Sequence, residues 1–414
     1  MKLDDYIKEN LFSEEFIPKK TPVRLQELPF GIDEIKEAID SLISTFLVMG
    51  QKTKRFEKIW TNWIGRKESI FVNSGSSAVL LAMMWLKFKK AINDDRDEIL
   101  IPAVTWSTSL FPAIIVGLKP ILVDVDLDNL CVNSFSQYIS NKTLAVMPVH
   151  LIGHACNMDR IMQEAEDHNI YVVEDCCEAH GTRYNGKKVG TFGDIGVWSF
   201  MFAHHITTIE GGMISVDSED ISDTMRMFRA HGWIREISEK KKKQIINENL
   251  NIHSSFLFPE IGLNVRPTEV NAAFGIHQMK RIDEFVDKRR AAFDKITEGL
   301  LPFSRYIQLF PEKEKEYFSP FAYPILINED APFSRNVMLD YLTDCNIHHR
   351  PIVGSNLALQ PFMKLYAHLV EIRGELKNAE FIHNNGFFIG LNQDTNNERI
   401  EYIVKSFKEF FKEI

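Results

Sequence analysis

Between about residues 68 and 217 the chain alternates short apolar runs with stretches whose apolar positions recur at helical spacing. Ile99-Leu100-Ile101-Pro102, Pro120-Ile121-Leu122-Val123-Asp124, Leu144-Ala145-Val146-Met147-Pro148 and Ile170-Tyr171-Val172-Val173-Glu174-Asp175 predict buried strands, and residues 108–116 and 159–167 predict helices. Fully apolar strands alternating with helices predict an α/β fold, a mostly parallel sheet covered on both faces. In such sheets ligands sit beyond the carboxyl ends of the strands. Polar residues collect at those ends here: Thr105 and Trp106, Asp175, and Ser199 with His204. Farther on, the spacing predicts a helix over 266–285 that continues through Arg290 toward Leu300. A second strand set begins at Tyr323-Pro324-Ile325-Leu326-Ile327, with helices near 337–345 and 399–411. The expected division is a large domain with its N-terminal segment, 1–290, and a smaller C-terminal α/β domain, 291–414.

Composition narrows the class. The net charge of -9, from 48 basic and 57 acidic residues, argues against a nucleic-acid partner. No apolar stretch reaches the roughly 18 to 20 residues that span a membrane, so no membrane partner is expected. The acidic start, Met1-Lys2-Leu3-Asp4-Asp5, lacks the apolar core of a signal peptide. Five cysteines (Cys131, Cys156, Cys176, Cys177, Cys345) show no CxxC spacing, which fits a cytoplasmic protein and predicts no metal site.

Four segments and the isolated Trp106 carry candidate chemistry. Asn73-Ser74-Gly75-Ser76-Ser77-Ala78 lies between the apolar Ile70-Phe71-Val72 and a helical stretch over 79–90. A glycine–serine turn at a helix start offers N–H groups and hydroxyls to an anion, although serine caps helices without any ligand. Asp175 ends an apolar strand, with Glu178 three residues on. A carboxylate there suits a protonated pyridine nitrogen, or equally a helix cap or ion pair. Trp106 offers a flat ring for stacking or for core packing. Asn264 and Arg266, in the loop Gly262-Leu263-Asn264-Val265-Arg266-Pro267, are candidate anion contacts or local caps. The fourth segment, Ser199-Phe200-Met201-Phe202-Ala203-His204-His205-Ile206-Thr207, places His204 five residues after Ser199.

In order and spacing these segments resemble the DegT/DnrJ/EryC1/StrS sugar aminotransferase family, within the fold type I pyridoxal phosphate enzymes. Met49-Gly50-Gln51-Lys52-Thr53-Lys54-Arg55-Phe56-Glu57 and Glu210-Gly211-Gly212 add to the likeness, which runs from about Phe46 to the carboxyl terminus. The resemblance implies that Gly75, Ser76, Ser77 and Ser199 hold the cofactor phosphate, and that Asn264 reaches it from the neighbouring subunit of a homodimer with shared active sites. It also implies that Asp175 pairs with the pyridine nitrogen and that Trp106 stacks on the ring. Two positions depart from the usual family pattern. Glu178 stands near the ring hydroxyl where glutamine or histidine is usual. His204 stands where most members carry the lysine that forms a Schiff base. Lys187 and Lys188 follow an Asn185-Gly186 turn that reads as exposed.

A branch of the family with Ala-His-His-Ile-Thr at this point comprises 3-dehydratases of nucleotide-linked 4-keto-6-deoxy sugars. The chain is similar to it at Phe71-Val72-Asn73-Ser74-Gly75-Ser76-Ser77, Thr105-Trp106-Ser107-Thr108, Glu174-Asp175-Cys176-Cys177-Glu178 and Asn356-Leu357-Ala358-Leu359-Gln360-Pro361. Without clustered cysteines, the chain is closer to the metal-free type acting on GDP-4-keto-6-deoxymannose than to the iron–sulfur type acting on a CDP sugar. The branch implies pyridoxal 5'-phosphate and pyridoxamine 5'-phosphate that are not covalently held, L-glutamate as amino donor, and His204 as catalytic base in removal of the C3 hydroxyl. That chemistry serves deoxysugar and lipopolysaccharide O-antigen synthesis. Arg229-Ala230-His231-Gly232-Trp233 is closer to the aminotransferase pattern, which makes a nucleotide-sugar aminotransferase the alternative. Arg229, His231 and Arg266 are the expected substrate-side residues. A dimer that kept the fold without catalysis is the third possibility.

Overall fold

A computed structural model describes residues 3–11, 15–27, 30–91 and 94–414. In chain order its strands are β1 (Glu68–Val72), β2 (Glu98–Pro102), β3 (Lys119–Val123), β4 (Thr143–Val146), β5 (Tyr171–Asp175), β6 (Arg183–Tyr184), β7 (Lys187–Lys188), β8 (Ile195–Ser199) and β9 (Gly212–Val216). They continue with β10 (Ile307–Gln308), β11 (Glu316–Tyr317), β12 (Tyr323–Ile327), β13 (His349–Pro351), β14 (Glu371–Ile372) and β15 (Gly386–Ile389). The four apolar runs read from the sequence form β2 to β5, each with its central residues fully buried. The large sheet has eight strands in the order β1-β9-β8-β5-β4-β2-β3-β14. Its pairs are parallel except those of β9, which runs antiparallel to both β1 and β8. The chain therefore leaves β1, β2, β5 and β8 at one end of the sheet, where the candidate residues lie.

Among the described residues there are two large cores and a small cluster of Met227, Ile234, Ile237, Ile245 and Leu257. The larger surrounds the eight-stranded sheet, with Trp60, Trp85, Trp198 and Phe200 among its buried rings. The second lies between the sheet β10-β12-β15-β13 and the helices Ile282–Leu300, Arg335–Asp344 and Asn397–Phe410. Phe16 and Val23 from the start of the chain belong to this second core, and Val23 bridges to Ile347. Conversely, β14 from the C-terminal part adds a parallel strand to β3 at the edge of the large sheet.

The helix expected over 266–285 is instead two helices, Glu269–Gln278 and Ile282–Leu300. Thr268 sets the first start: its hydroxyl accepts the Asn271 N–H at 3.2 Å, and its own N–H donates to Asn271 Oδ1 at 3.2 Å. The break at 279–281 carries neither Gly nor Pro, and apolar periodicity runs on both sides of it. No helix among the described residues is long and apolar enough to cross a membrane.

Candidate active site

Val72 of β1 and Ser199 of β8 both pair with Gly212 of β9, so the turns leaving β1 and β8 meet. The helix Gly75–Trp85 starts in the first of these turns. Ser74 is its N-cap in extended conformation, with Oγ accepting the Ser77 N–H at 3.1 Å, and Ser77 Oγ donates to Asn73 Oδ1 at 2.6 Å. A β-carbon on Gly75 would stand 2.5 Å from Cβ of Ser199, and one on Gly212 would stand 2.3 Å from the Ser74 carbonyl oxygen. Close approach, rather than an unusual φ, dictates both glycines. The result is a helix N-terminus backed by the Ser199 hydroxyl, a cradle whose N–H groups and hydroxyls suit a phosphate. Gly75→Ala should push Ser199 aside, and overpacking of this kind costs roughly 1–3 kcal/mol. The expected result is weaker retention of pyridoxal phosphate in an absorbance titration, with the fold intact by circular dichroism.

Asp175, at the end of β5, is 5% exposed. Its Oδ2 accepts from Ser109 Oγ at 2.8 Å, its Oδ1 accepts the Cys177 N–H at 3.1 Å, and Ser109 is itself bonded to Thr105 Oγ1 at 2.7 Å. These bonds fix the carboxylate, and none of its contacts is a cation, so its charge is available to a protonated ring nitrogen. Trp106, 57% exposed, sits at the start of the helix Ser107–Val116 with its indole free to stack.

Glu178 is half-buried and accepts the Ile152 N–H at 2.8 Å. Burial, with a contribution from the charge of Asp175, pushes its carboxyl up to about 8. Ile152 donates from a left-handed conformation (φ 55°), which β-branched residues rarely adopt. Gly153 beside it has φ 96°, and a β-carbon there would lie 1.9 Å from the Ser319 carbonyl. At neutral pH Glu178 is a carboxylic acid that can donate a hydrogen bond, as a glutamine amide does. It ionises as pH rises through about 8, placing a second negative charge beside Asp175. Cofactor affinity of the native protein should fall across that range, while Glu178→Gln should match it at pH 7 and lack the alkaline loss. Fluorescence titrations of both proteins between pH 7 and 9 check this.

The turn carrying His204 is pinned where Phe200 N–H donates to the Gly211 carbonyl and Thr208 N–H to the Phe200 carbonyl, both at 2.9 Å. His204 is 8% exposed, and its Nδ1 is sealed without a hydrogen-bond partner. Burial, reinforced by the charge of Arg289, lowers it to about 3, so the imidazole is neutral. Lys187 and Lys188 do not stand in for the missing lysine. They lie on β7, beyond a turn with left-handed Asn185 and Gly186, their ammonium groups 4.6 Å over the Phe192 ring and 4.1 Å over the Trp63 ring.

Asn264, His231 and Arg266 come together on exposed or half-exposed surface: Arg266 Nε donates to Asn264 Oδ1 at 2.9 Å, and its Nη2 lies 3.5 Å from His231 Nε2. Arg229 departs from the sequence expectation of a substrate contact. It is 1% exposed, and its Nη1 donates to Glu57 Oε1 at 2.6 Å and to the Phe71 carbonyl at 2.8 Å. A guanidinium committed in this way supports β1 and does not face a ligand. Residues the sequence reading passed over are Glu57, Ser109, Ile152, His180 and Arg289. Only Glu57 carried a signal, as a lone carboxylate between apolar helix positions Phe56 and Trp60.

His150, Glu174 and Cys176 approach within 4.8 Å of one another, but they are satisfied as they stand. His150 Nδ1 accepts the Cys156 N–H at 3.1 Å, so its Nε2 carries the proton facing Glu174, which also takes three backbone N–H bonds at 2.7 Å from Gly190, Phe192 and Gly193.

A sequence profile of the DegT/DnrJ/EryC1/StrS aminotransferase family matches residues 30–408. The chain is 34% identical to the GDP-4-keto-6-deoxy-D-mannose 3-dehydratase of Yersinia pseudotuberculosis, over 91% of this chain and 95% of that protein. It superimposes on the E. coli GDP-4-keto-6-deoxy-D-mannose-3-dehydratase with bound hydrated PLP with a TM-score of 0.86 at 31% identity, over 93% and 98% of the two chains. A GDP-4-keto-6-deoxymannose-3-dehydratase with a trapped PLP–glutamate geminal diamine gives a TM-score of 0.83 at 29% identity, over 92% and 99%.

Proposed function

The chain belongs to the DegT/DnrJ/EryC1/StrS aminotransferase family, and from that membership we propose that it is a pyridoxal phosphate-dependent 3-dehydratase. Its substrate is a nucleotide-linked 4-keto-6-deoxy sugar of the GDP-4-keto-6-deoxymannose type, and its amino donor is L-glutamate. The observation that carries this reading is His204, a buried neutral imidazole in the turn after Ser199, at the position where most family members carry the lysine that tethers the cofactor.

When bound, the cofactor supplies an electron sink next to the sugar carbon that carries the amine. Gly75, Ser76, Ser77 and Ser199 hold its phosphate, joined by the partner subunit's Asn264 in a homodimer. Asp175 keeps the ring nitrogen protonated, Trp106 covers one ring face, and Glu178 donates a hydrogen bond at the ring's edge. With Nδ1 sealed, Nε2 of His204 is the nitrogen that moves a proton. There it would act as base next to the bound cofactor and return that proton to the oxygen of the departing C3 hydroxyl. Arg266 and His231 lie on the substrate side.

The homodimer is supported by apolar side chains exposed around the site: Trp106, Met201, Phe202 and Ile209. A cytoplasmic setting is supported by five free cysteines, four of them buried. Incubation with pyridoxal phosphate, glutamate and GDP-, CDP-, UDP- or dTDP-4-keto-6-deoxy sugars tests the reading. Turnover is expected with the GDP sugar, and inertness toward all four would contradict it.

A further inference from the structure

Behind the turn that carries His204 lie three more buried titratable side chains. The ring of His180 is 5.8 Å from that of His204 and 5.2 Å from that of His205, and Phe321 stands 5.4 Å from His204. His180 has no hydrogen-bond partner on either nitrogen, while His205 Nε2 meets the Ser319 carbonyl at 3.3 Å. The third is Arg289, in the helix Ile282–Leu300, at 0% exposure. Its Nη1 donates to the carbonyls of Leu391 at 2.7 Å, Phe321 at 2.9 Å and Pro320 at 3.4 Å, and its Nη2 to the side-chain oxygens of Gln26 and Gln393, both at 3.4 Å. None of these partners is a carboxylate. Buried charges are ordinarily hydrogen-bonded to a counter-charge, so a guanidinium in this wall with no carboxylate among its hydrogen-bond partners calls for a reason.

We propose that Arg289 is a positioning residue for His204. It fixes the backbone at 320–321 so that Phe321 packs on the imidazole, and it sets a positive charge with no hydrogen-bonded carboxylate behind the three histidines, so that His204 meets its substrate as an uncharged base. This role rests on His204 being the proton carrier. A proton taken up by His204 then sits near a like charge in a water-poor wall, and the repulsion drives its delivery to the leaving group. The directions of titration agree: burial first, then His204 and Arg289 for His180, and Arg289 ahead of the two histidines for His205, hold both well below the usual histidine range. The groups facing His204 are His180 after β5, His205 beside it in the chain, and Arg289. Asp394 also acts on Arg289, and Asp175 and Glu178 lie at and just beyond the end of β5.

The test is a histidine titration of the full-length protein carrying ¹³C at the imidazole Cε1, with His204→Asn used to assign the His204 signal. In the native protein that signal should stay at its neutral position down to pH 5. Arg289→Met, which removes the charge at similar volume, should raise the His204 midpoint by about one pH unit or more. Arg289→Lys, which keeps the charge, should not. The acidic limb of the pH–rate profile should move upward in Arg289→Met alone. A native midpoint near the ordinary value of about 6.5, an Arg289→Met titration matching the native one, or a raised midpoint in folded Arg289→Lys would each overturn this role. If Arg289→Met does not fold, the native and Arg289→Lys titrations decide. An active His204→Asn would instead remove the reading of His204 as base, and leave the titration result standing.

Discussion

His204→Asn should lower turnover of the keto sugar by roughly 10²- to 10⁴-fold, the usual contribution of a positioned general acid–base group. Asparagine fills part of the same buried volume but cannot take up a proton at the reacting carbon. Cofactor binding should persist, because the phosphate cradle, Asp175 and Trp106 make their contacts without His204. The loss should therefore appear in kcat, with little change in the dissociation constant of pyridoxal phosphate. Parallel measurements of ammonia release and cofactor binding separate the two. Unchanged turnover would mean that another group carries the proton.

Glu57→Ala should destabilise the protein by roughly 3–5 kcal/mol, the cost of leaving a buried charge without its partner. Glu57 Oε1 accepts from Arg229 Nη1 at 2.6 Å and from the Phe71 N–H at 2.9 Å, and its Oε2 accepts from Arg226 Nη1 at 3.2 Å. Removing the carboxylate strands Arg229 and loosens β1 just before the phosphate turn. Burial pushes the Glu57 carboxyl up, but attraction to Arg226 and Arg229, with the Phe71 N–H, outweighs it and holds the group below the usual range. Because the folded value lies below the unfolded one, this stabilisation is fully present above the ordinary glutamate pKa of about 4.3 and fades as pH falls through the folded value. Chemical denaturation at pH 7 should show a lower midpoint in the variant, with the gap narrowing as the pH is lowered into the acid range. Equal midpoints at pH 7 would contradict the ion-pair account.

Elements whose cause is local were legible in the sequence. The runs that became β2 to β5 are apolar throughout because both faces of a parallel sheet are covered, and the polar residues at their ends identified the working edge of the sheet. What depends on contacts between distant segments was hidden. β14 is two residues long and pairs with β3 at Glu371↔Ile121 and Ile372↔Leu122, residues 250 positions apart in the chain. The helix break at 279–281 has no breaker residue to mark it. Arg229 resembled a substrate contact because its motif does not reveal the Glu57 carboxylate beneath it. Glu178 was visible as a departure from the family pattern, but its neutral state follows from burial and from the nearby charge of Asp175, which together outweigh the Ile152 N–H bond that favours the carboxylate. Gly75, Gly211 and Gly212 were read as motif residues. The physical reason for Gly75 and Gly212 is the close meeting of two strand ends and a helix start, and for Gly211 it is the Thr208 hydroxyl and the Phe71 ring packed against it.

The central claim is that an imidazole in the lysine's place turns a site for amino transfer into one for elimination. The most direct test is the product formed from GDP-4-keto-6-deoxymannose and glutamate, followed by mass spectrometry and an ammonia assay. A 3-deoxy-4-keto sugar with one ammonia released per turnover is the predicted result. A 4-amino sugar that retains its C3 hydroxyl, with no ammonia released, would contradict it.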